Sequence, residues 1–368
     1  MKSPNQNLES YSSEKEILFS KTGSVGHIIL NRPNALNSIT ENMTSAMFKI
    51  LKLWLKDDNI SIVVIEGASQ PNLKRPFCSG GDIRMIFEGR KDPQRKFAQS
   101  FFSQEYRLNK LIYNYPKPYL SLIDGVVMGG GVGISIHGSH RVMTDRALFA
   151  MPETGIGLFP DVGATHFLPR LTGLTGLYLG LTSQRLEVAD FLYLGIATHY
   201  LPSSKYSELI KDIMKEDYSR DPQSKLDNLL EKHCKKTALA PIIKRLKYIN
   251  KTFDSQSIEE IFENLKAKKN NWSISTLKEL SQKSPTSLKV TFRQLTELSS
   301  LDFDSAMKME YRMAIRFNFS DDLFEGIRAF IIDKDFSPVW DPGTIESVYD
   351  KVVDEYFQEP DSGDINFC

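Results

Sequence analysis

Two carboxylates follow prolines, eight residues apart, in a largely apolar segment of the chain. The segment FAMPETGIGLFPDVG, residues 149–163, places Glu153 after Pro152 and Asp161 after Pro160. The neighbours are mostly Phe, Met, Leu, Ile and Gly, so we expect both side chains to be partly removed from water. Loss of hydration raises the pKa of a carboxyl group and makes its ionised form a better base or nucleophile. The segment predicts acid–base or nucleophilic chemistry, although both residues could also stabilise helix termini.

Two glycine-containing segments, called here the glycine turns, provide a second kind of chemistry. They are MGGGVG (128–133) and FCSGGDI (77–83), and each lies between a predicted strand and a predicted helix. Backbone N–H groups in the first turn of a helix have no partner inside that helix. Two such donors aimed at one point stabilise the oxyanion that forms when a thioester carbonyl is attacked. The alternative is that each run is a tight turn that allows a helix to pack closely.

Other motifs that involve glycine, serine or histidine are incomplete. The third glycine of a dinucleotide fingerprint is replaced by isoleucine, counting from either end of the triplet. A phosphate-binding loop requires lysine where Ser139 stands. Around Ser135 the G-x-S-x-G pattern lacks its last glycine, because that position holds His137. His137 and His140 have the spacing of metal ligands but no third ligand nearby, so no metal is predicted.

Composition excludes several classes of partner. The chain has 368 residues, 46 basic and 46 acidic, so neither nucleic-acid binding nor membrane-surface binding is predicted. The apolar stretch at 119–138 contains Asp124 and many glycines, which makes it a poor membrane span. Cys78, Cys234 and Cys368 form neither a disulfide framework nor a zinc motif, which favours a reducing compartment.

The chain ends carry no recognised address. Residues 1–16 lack the apolar core of a secretory signal, and they contain three glutamates and no arginine, unlike a transit peptide. The last three residues, Asn366 to Cys368, differ from the peroxisomal S-K-L signal. A cytoplasmic location is therefore predicted.

The hydrophobic pattern that must position these residues predicts an α/β core. Thr40 is the expected N-cap of a helix over 39–56, and a short apolar run at 61–65 predicts a buried strand. A strand–strand–helix order occurs twice, each time with a glycine turn before the helix. The second repeat comprises strands at 119–123 and 126–128 and a helix at 132–138.

From about residue 202 strand signals fade and amphipathic helical patterns dominate. The predicted organisation is a flexible leader (1–13), a ββα core (14–210) and a mainly helical C-terminal region (211–368).

Together these segments resemble the crotonase, or enoyl-CoA hydratase/isomerase, superfamily. The resemblance covers roughly residues 14–345 in the family's order. It implies an α/β spiral of ββα repeats, with the helical C-terminal region covering the active site. The matching segments are HIILNRPNALNS (27–38), PFCSGGDI (76–83), KPYLSLIDGVVMGGGVGISIHG (117–138), FAMPETGIGLFPDVGATHFLPRL (149–171) and EGIRAFIIDKDFSPVW (325–340).

Within the superfamily the chain resembles a branch of thioester hydrolases. FFSQEYRLNK (101–110), SPTSLKVTFRQL (284–295) and MEYRMAIRF (309–317) carry this resemblance, together with the 128–138 and 149–163 segments. It implies hydrolysis of a short 3-hydroxyacyl-CoA, such as 3-hydroxyisobutyryl-CoA in valine catabolism, with no cofactor beyond the CoA of the substrate.

Gly133 occupies the position at which hydratases carry a catalytic glutamate, which disfavours addition of water to a double bond. The alternatives are an enoyl-CoA hydratase or isomerase, and a non-catalytic scaffold.

The resemblance also implies roles for individual residues. The N–H groups of Gly81 and Gly130 would form an oxyanion hole, and Glu153 would attack the thioester or activate water. Asp161 would assist proton transfer near the substrate hydroxyl, and Glu105 would contact the substrate.

The resemblance places the CoA-binding residues in two further segments. Arg32 or Lys74 would lie near the CoA phosphates. The resemblance also implies a possible homo-oligomer, because superfamily members often form one. The residues expected to line the CoA channel are Asn34, Ala35, Leu36, Ser79 and Gly81.

Overall fold

The computed structural model describes residues 15–69 and 75–367. They form two compact units, each assembled from three segments of the chain. The sheet unit comprises the described residues of Met1–Gly81, with Leu111–Leu148 and Glu187–Ala240. The helical unit comprises Asp82–Lys110, Phe149–Leu186 and the described residues of Pro241–Cys368. The boundaries of these two units do not coincide with residue 210. The predicted division into a 14–210 core and a 211–368 region stays a prediction.

Eight strands are present in the described part of the chain. They are β1 (Ile17–Thr22), β2 (Val25–Leu30), β3 (Ile62–Gly67), β4 (Tyr119–Ile123), β5 (Val126–Met128), β6 (His140–Thr144), β7 (Leu148–Ala150) and β8 (His199–Leu201).

Sixteen α-helices connect and follow these strands among the described residues, and beyond β8 the described elements are helical. The helices are α1 (Glu41–Leu55), α2 (Ile83–Gly89), α3 (Lys96–Tyr113), α4 (Gly130–Gly133), α5 (Ala164–Phe167), α6 (Thr175–Thr182), α7 (Val188–Tyr193), α8 (Tyr206–Lys215), α9 (Pro222–His233), α10 (Ile243–Phe253), α11 (Ile258–Lys268), α12 (Asn271–Leu280), α13 (Pro285–Glu297), α14 (Phe303–Phe317), α15 (Asp321–Ile327) and α16 (Asp350–Glu355). Among the described helices none combines the length and the apolar character that a membrane crossing requires.

The sheet unit is built on six strands in the order β1-β2-β3-β4-β6-β8. β1 pairs antiparallel with β2, and the other neighbours are parallel. The register places Ile28 opposite Ile65 and Leu122 opposite Val142. Parallel strands are covered on both faces, and all six residues of β3 are buried. The predicted buried strand at 61–65 is therefore confirmed, shifted by one residue at its start.

Helices with apolar stripes pack against the six-stranded sheet. Thr40 caps α1 by accepting a hydrogen bond from the N–H of Met43, as predicted. Trp54 of α1 lies against Gly26 of β2, where a Cβ would come within 2.6 Å of the indole ring. α8 and α9 contribute apolar residues to a core with β2, β3, β4, β6 and β8.

The predicted helix at 132–138 is wrong in its bounds. α4 begins at Gly130 inside the glycine triplet and ends at Gly133. Beyond it, the N–H of Ser135 donates to the carbonyl oxygen of Val132 at 2.9 Å, three residues back, and its hydroxyl donates to the carbonyl oxygens of Gly131 and Val132. Gly129 is the N-cap, and Gly130 and Gly131 begin the first helical turn.

Candidate active site

The two glycine turns are in contact within the sheet unit. Cys78 and Val127 form a parallel bridge, and the N–H of Met128 donates to the carbonyl oxygen of Cys78 at 3.1 Å. Gly80 has φ +114°, a conformation that favours glycine. A Cβ at Gly80 would lie 3.8 Å from the amide nitrogen of Gly130. The backbone of one turn thus lies directly beside the start of α4.

The two predicted oxyanion donors have free N–H groups. Among the described residues, the amides of Gly81 and Gly130 donate to no protein acceptor. Gly130 is the first residue of α4, where a helix leaves its N–H unpaired. A Cβ at Gly131 would lie 2.5 Å from the carbonyl oxygen of Cys78, so the close approach of the turns requires glycine there. The geometry supplies two adjacent unpaired donors.

The residues expected to line the CoA channel are also adjacent in the sheet unit. The N–H of Ser79 donates to the carbonyl oxygen of Leu36 at 3.0 Å, and the N–H of Ile39 donates to that of Gly80 at 2.8 Å. These bonds join the turn containing Asn34, Ala35 and Leu36 to the turn at Ser79–Gly81. Leu36 has φ +51° and is 49% exposed, so an apolar side chain faces solvent here.

Of the two basic residues expected near the CoA phosphates, Arg32 is engaged within the protein. Arg32 pairs with Glu16 at 3.1 Å and donates to the carbonyl and hydroxyl oxygens of Ser38 at 2.8 and 3.0 Å. Its guanidinium is therefore already engaged by protein groups. Lys74 lies outside the described residues.

The helical unit brings together the predicted carboxylates. Glu153 opens a short 3₁₀ turn, Glu153–Ile156, directly after β7. Its side chain is buried, and Oε2 has no hydrogen-bond partner among the described residues. Asp161 is buried in the loop that follows and accepts a 2.8 Å hydrogen bond from the hydroxyl of Tyr106. Glu105, the residue before Tyr106 on α3, is also buried and has an unpartnered Oε1.

A fourth carboxylate, Glu310 of α14, completes what we call the carboxylate cluster: Glu105, Glu153, Asp161 and Glu310. It is fully buried, and its two oxygens accept hydrogen bonds from the N–H groups of Gly163 and Thr165 at 2.7 and 2.8 Å. Sequence reasoning missed Glu310 and Tyr106. A signal was present, since Glu310 lies on the apolar face of α14 with Ala306, Met307, Ala314 and Phe317.

Burial raises the pKa of every member of the carboxylate cluster, and the negative charge of Asp161 raises it further for the three glutamates. Burial is the largest cause for Glu153, followed by the negative charge of Asp161. The same two causes raise the pKa of Glu105 well above its ordinary value. Burial raises the pKa of Asp161 to about 7, against the hydrogen bond from Tyr106, and that of Glu310 to about 8. The cluster therefore holds protons at a pH at which surface carboxylates hold none.

Among the described residues of the sheet unit, one group has the residue types of a metal site. Ligand atoms of Glu208, Asp212 and His233 lie within 4.8 Å of one another. His233 Nε2 is already 3.0 Å from Asp212, and Lys205 pairs with Glu208 at 2.6 Å. These pairs are those of an ion-pair network between α8 and α9.

The chain belongs to the enoyl-CoA hydratase/isomerase family, whose sequence profile matches residues 25–357. It is 44% identical over 355 residues to the 3-hydroxyisobutyryl-CoA hydrolase, mitochondrial, of Danio rerio, covering 95% of this chain and 91% of that protein. The protein of the same name from Homo sapiens is 41% identical over 368 residues, with 96% and 91% covered. The predicted family is therefore confirmed.

Solved structures confirm the predicted fold. A carnitinyl-CoA dehydratase from Mycobacterium thermoresistibile has a TM-score of 0.89 at 34% identity, covering 96% of this chain and 99% of that chain. An enoyl-CoA hydratase from Rhodobacter sphaeroides 2.4.1 has a TM-score of 0.86 at 33% identity, covering 95% and 99%. The α/β crotonase architecture predicted from the motifs is thus the fold of the chain.

The predicted cytoplasmic location is wrong. The relatives that cover nearly the whole chain are named as mitochondrial enzymes in fish, frogs and mammals. The prediction depended on the residue types of a short N-terminal segment. The absence of arginine in such a segment does not define a compartment.

Proposed function

We propose that the protein hydrolyses 3-hydroxyisobutyryl-CoA, or a similar short 3-hydroxyacyl-CoA, to the free acid and CoA. The observation that carries the proposal is the buried carboxylate of Glu153, whose Oε2 has no protein partner among the described residues. An unpartnered buried carboxylate is costly, which favours a role toward a bound molecule. The names of relatives at 38–44% identity support the same activity.

The chemistry assigns a distinct task to each group. The N–H groups of Gly81 and Gly130 stabilise the negative charge that develops on the thioester oxygen as its carbonyl carbon is attacked. Glu153 in its ionised form attacks that carbon itself or takes a proton from the attacking water. The carbon–sulfur bond then breaks, and the CoA thiolate takes up a proton. Where Glu153 itself has attacked, water then hydrolyses the resulting mixed anhydride, which releases the free acid and restores the carboxylate of Glu153. Asp161, with its pKa raised to about 7, exchanges protons near neutral pH.

Substrate binding is proposed for two sets of residues. The turn of Asn34, Ala35 and Leu36 and the adjoining Ser79–Gly81 turn line the path of CoA. Glu105 contacts the acyl group with its unpartnered Oε1. The chain itself provides all the groups that this reaction requires, so no cofactor is proposed.

Hydration or dehydration of an acyl-CoA is the second candidate. The similar solved structures named as a dehydratase and a hydratase favour it. Against it stands Gly133, buried in α4 without a side chain, where hydratases carry a catalytic glutamate.

The decisive experiment compares two reactions of the purified protein. Thiol release is measured with a panel of acyl-CoA esters that includes 3-hydroxyisobutyryl-CoA, and loss of the enoyl absorbance is measured with crotonyl-CoA. We expect thiol release from the 3-hydroxyacyl ester and no change in the enoyl absorbance. Loss of the enoyl absorbance without thiol release would establish the hydratase activity. No reaction in either assay would indicate a non-catalytic scaffold.

A further inference from the structure

Glu310 is tied to the backbone that follows Asp161. It lies on α14, far in sequence from the catalytic segment, and its side chain is fully buried. Oε2 accepts from the N–H of Gly163 at 2.7 Å, and Oε1 accepts from the N–H of Thr165 at 2.8 Å. α14 thus clamps the turn that begins at Asp161.

The clamped turn has an unfavourable backbone. Val162 has φ +54°, which is rare for a β-branched residue, and Gly163 has φ +93°. Such a conformation is energetically unfavourable and persists only where its surroundings impose it. The hydrogen bonds of Glu310 are one such constraint on the C-terminal side of the turn.

A second buried side chain constrains the turn on its other side. Gln294 of α13 donates from Nε2 to the carbonyl oxygen of Pro160 at 2.7 Å and to Oγ1 of Thr165 at 2.8 Å. Asp161 therefore lies between Pro160, which is bound by a side chain of α13, and Gly163, which is bound by a side chain of α14. The direction of its carboxylate, which accepts from Tyr106 at 2.8 Å, follows from this backbone.

We propose that Glu310 is a positioning residue for thioester hydrolysis, which acts by holding the strained turn that aims the carboxylate of Asp161. Gln294 holds the same turn from the opposite side. The inference rests on the proposed function, because it assigns Glu310 an effect on turnover through Asp161. A displacement of about 1 Å at a reacting group can cost roughly a hundredfold in rate.

The first test is a double-mutant comparison of turnover. Glu310→Gln keeps the size of the side chain but turns an NH₂ group toward one of the two N–H donors. We expect kcat to fall about 10- to 100-fold while KM changes less than about threefold. In an Asp161→Asn background, Glu310→Gln should cost less than about threefold, since there is no carboxylate left to aim. An equal cost in both backgrounds, or an unchanged kcat in the single variant, overturns the proposal.

The second test does not depend on activity. Hydrogen exchange at the amides of Gly163 and Thr165 should be at least about tenfold faster in Glu310→Gln, with exchange in the sheet unit unchanged. Unchanged exchange at these amides overturns the proposal. If the wild-type protein releases no thiol from any acyl-CoA, the proposed function fails, and the exchange rates still decide whether Glu310 holds the turn.

Gln294→Met provides an independent variant in case Glu310→Gln does not fold. It removes both hydrogen bonds to the turn and should give the same loss of kcat and the same dependence on Asp161. Glu297→Gln, an exposed change on the same helix, is the control and should leave kcat and exchange at wild-type values. Wild-type kcat in Gln294→Met would contradict the role of the clamp.

Discussion

The hydroxyl of Tyr106 donates a 2.8 Å hydrogen bond to Oδ2 of Asp161, and both side chains are buried. The bond joins α3 to the loop that carries the predicted proton-transfer residue. It stabilises the ionised form of Asp161, whereas burial of Asp161 favours the protonated form, and the balance is a pKa of about 7. A carboxyl group with this pKa can donate or accept a proton at neutral pH.

Glu153→Gln should abolish most of the thioester hydrolysis without weakening binding of CoA. The amide has nearly the shape of the carboxylate but is neither a base nor a nucleophile. Thiol release should fall by two to three orders of magnitude or more, a loss at least as large as that of one oxyanion donor. A thiol-reactive dye measures the rate, and calorimetry measures the affinity for CoA. Near wild-type turnover would show that Glu153 is not the catalytic carboxylate.

The acidic limb of the pH–rate profile should depend on Asp161. Glu153 acts in its ionised form, so kcat/KM falls as the pH drops below the pKa of that group. The negative charge of Asp161 raises the pKa of Glu153, and Asp161→Asn removes the charge. The residual activity of this variant should therefore extend to lower pH by about 0.5–1 pH unit. A shift of the limb to higher pH would contradict the electrostatic coupling.

Stability should decrease as the pH rises through the range in which the carboxylate cluster ionises. The pKa of Asp161 is near 3.8 in an unfolded chain and about 7 in the folded protein. Between these values the folded state binds more protons than the unfolded state, so its stability falls with increasing pH. Asp161→Asn should stabilise the protein on the order of 2–4 kcal/mol more at pH 8 than at pH 4.

Denaturant unfolding at the two pH values measures this difference. Asp58→Asn, an exposed change in the sheet unit, serves as the control and should show no comparable pH dependence. Equal effects of Asp161→Asn at pH 4 and pH 8 would mean that Asp161 is not a buried acid with a raised pKa.

Gly131→Ala should damage the contact between the glycine turns. Its Cβ would lie 2.5 Å from the carbonyl oxygen of Cys78, so the backbone of one turn must move. We expect a loss of about 2–4 kcal/mol in stability and a drop in thiol release, since Gly130 is displaced with it. Gly343→Ala, whose Cβ would lie 3.4 Å from the carbonyl oxygen of Trp340, should change little. Thermal unfolding and the thiol assay compare the two variants.

Local sequence patterns predicted those elements whose structure depends on residues that are close together in the sequence. The apolar run of β3, the cap at Thr40 and the two glycine turns follow from composition over a few positions. β8 was missed, whereas β5, which also has three residues, was predicted from the strand before it and the glycine turn after it. The clamp of Glu310 and Gln294 was missed because Glu310 lies 147 residues beyond Gly163 and Gln294 lies 134 residues beyond Pro160. Only folding brings these distant positions together.

The position of Glu310 shows which part of a long-range contact can be predicted from the sequence. A glutamate in the apolar stripe of a helix predicts a buried carboxylate, but the pattern does not name its partner. Glu105 occupies a similar place on α3, near Phe101 and Phe102. Acidic residues on apolar helix faces were thus the available signal for Glu105 and Glu310, two of the four members of the carboxylate cluster.

The raised pKa values of the carboxylate cluster also bear on proton balance. Hydrolysis of a thioester at neutral pH produces a carboxylic acid, which ionises and releases a proton. Asp161, with its pKa raised to about 7, is the member of the carboxylate cluster that can take up that proton near neutral pH. The chain can therefore store the acid equivalent of one turnover and return it to water after the product has left.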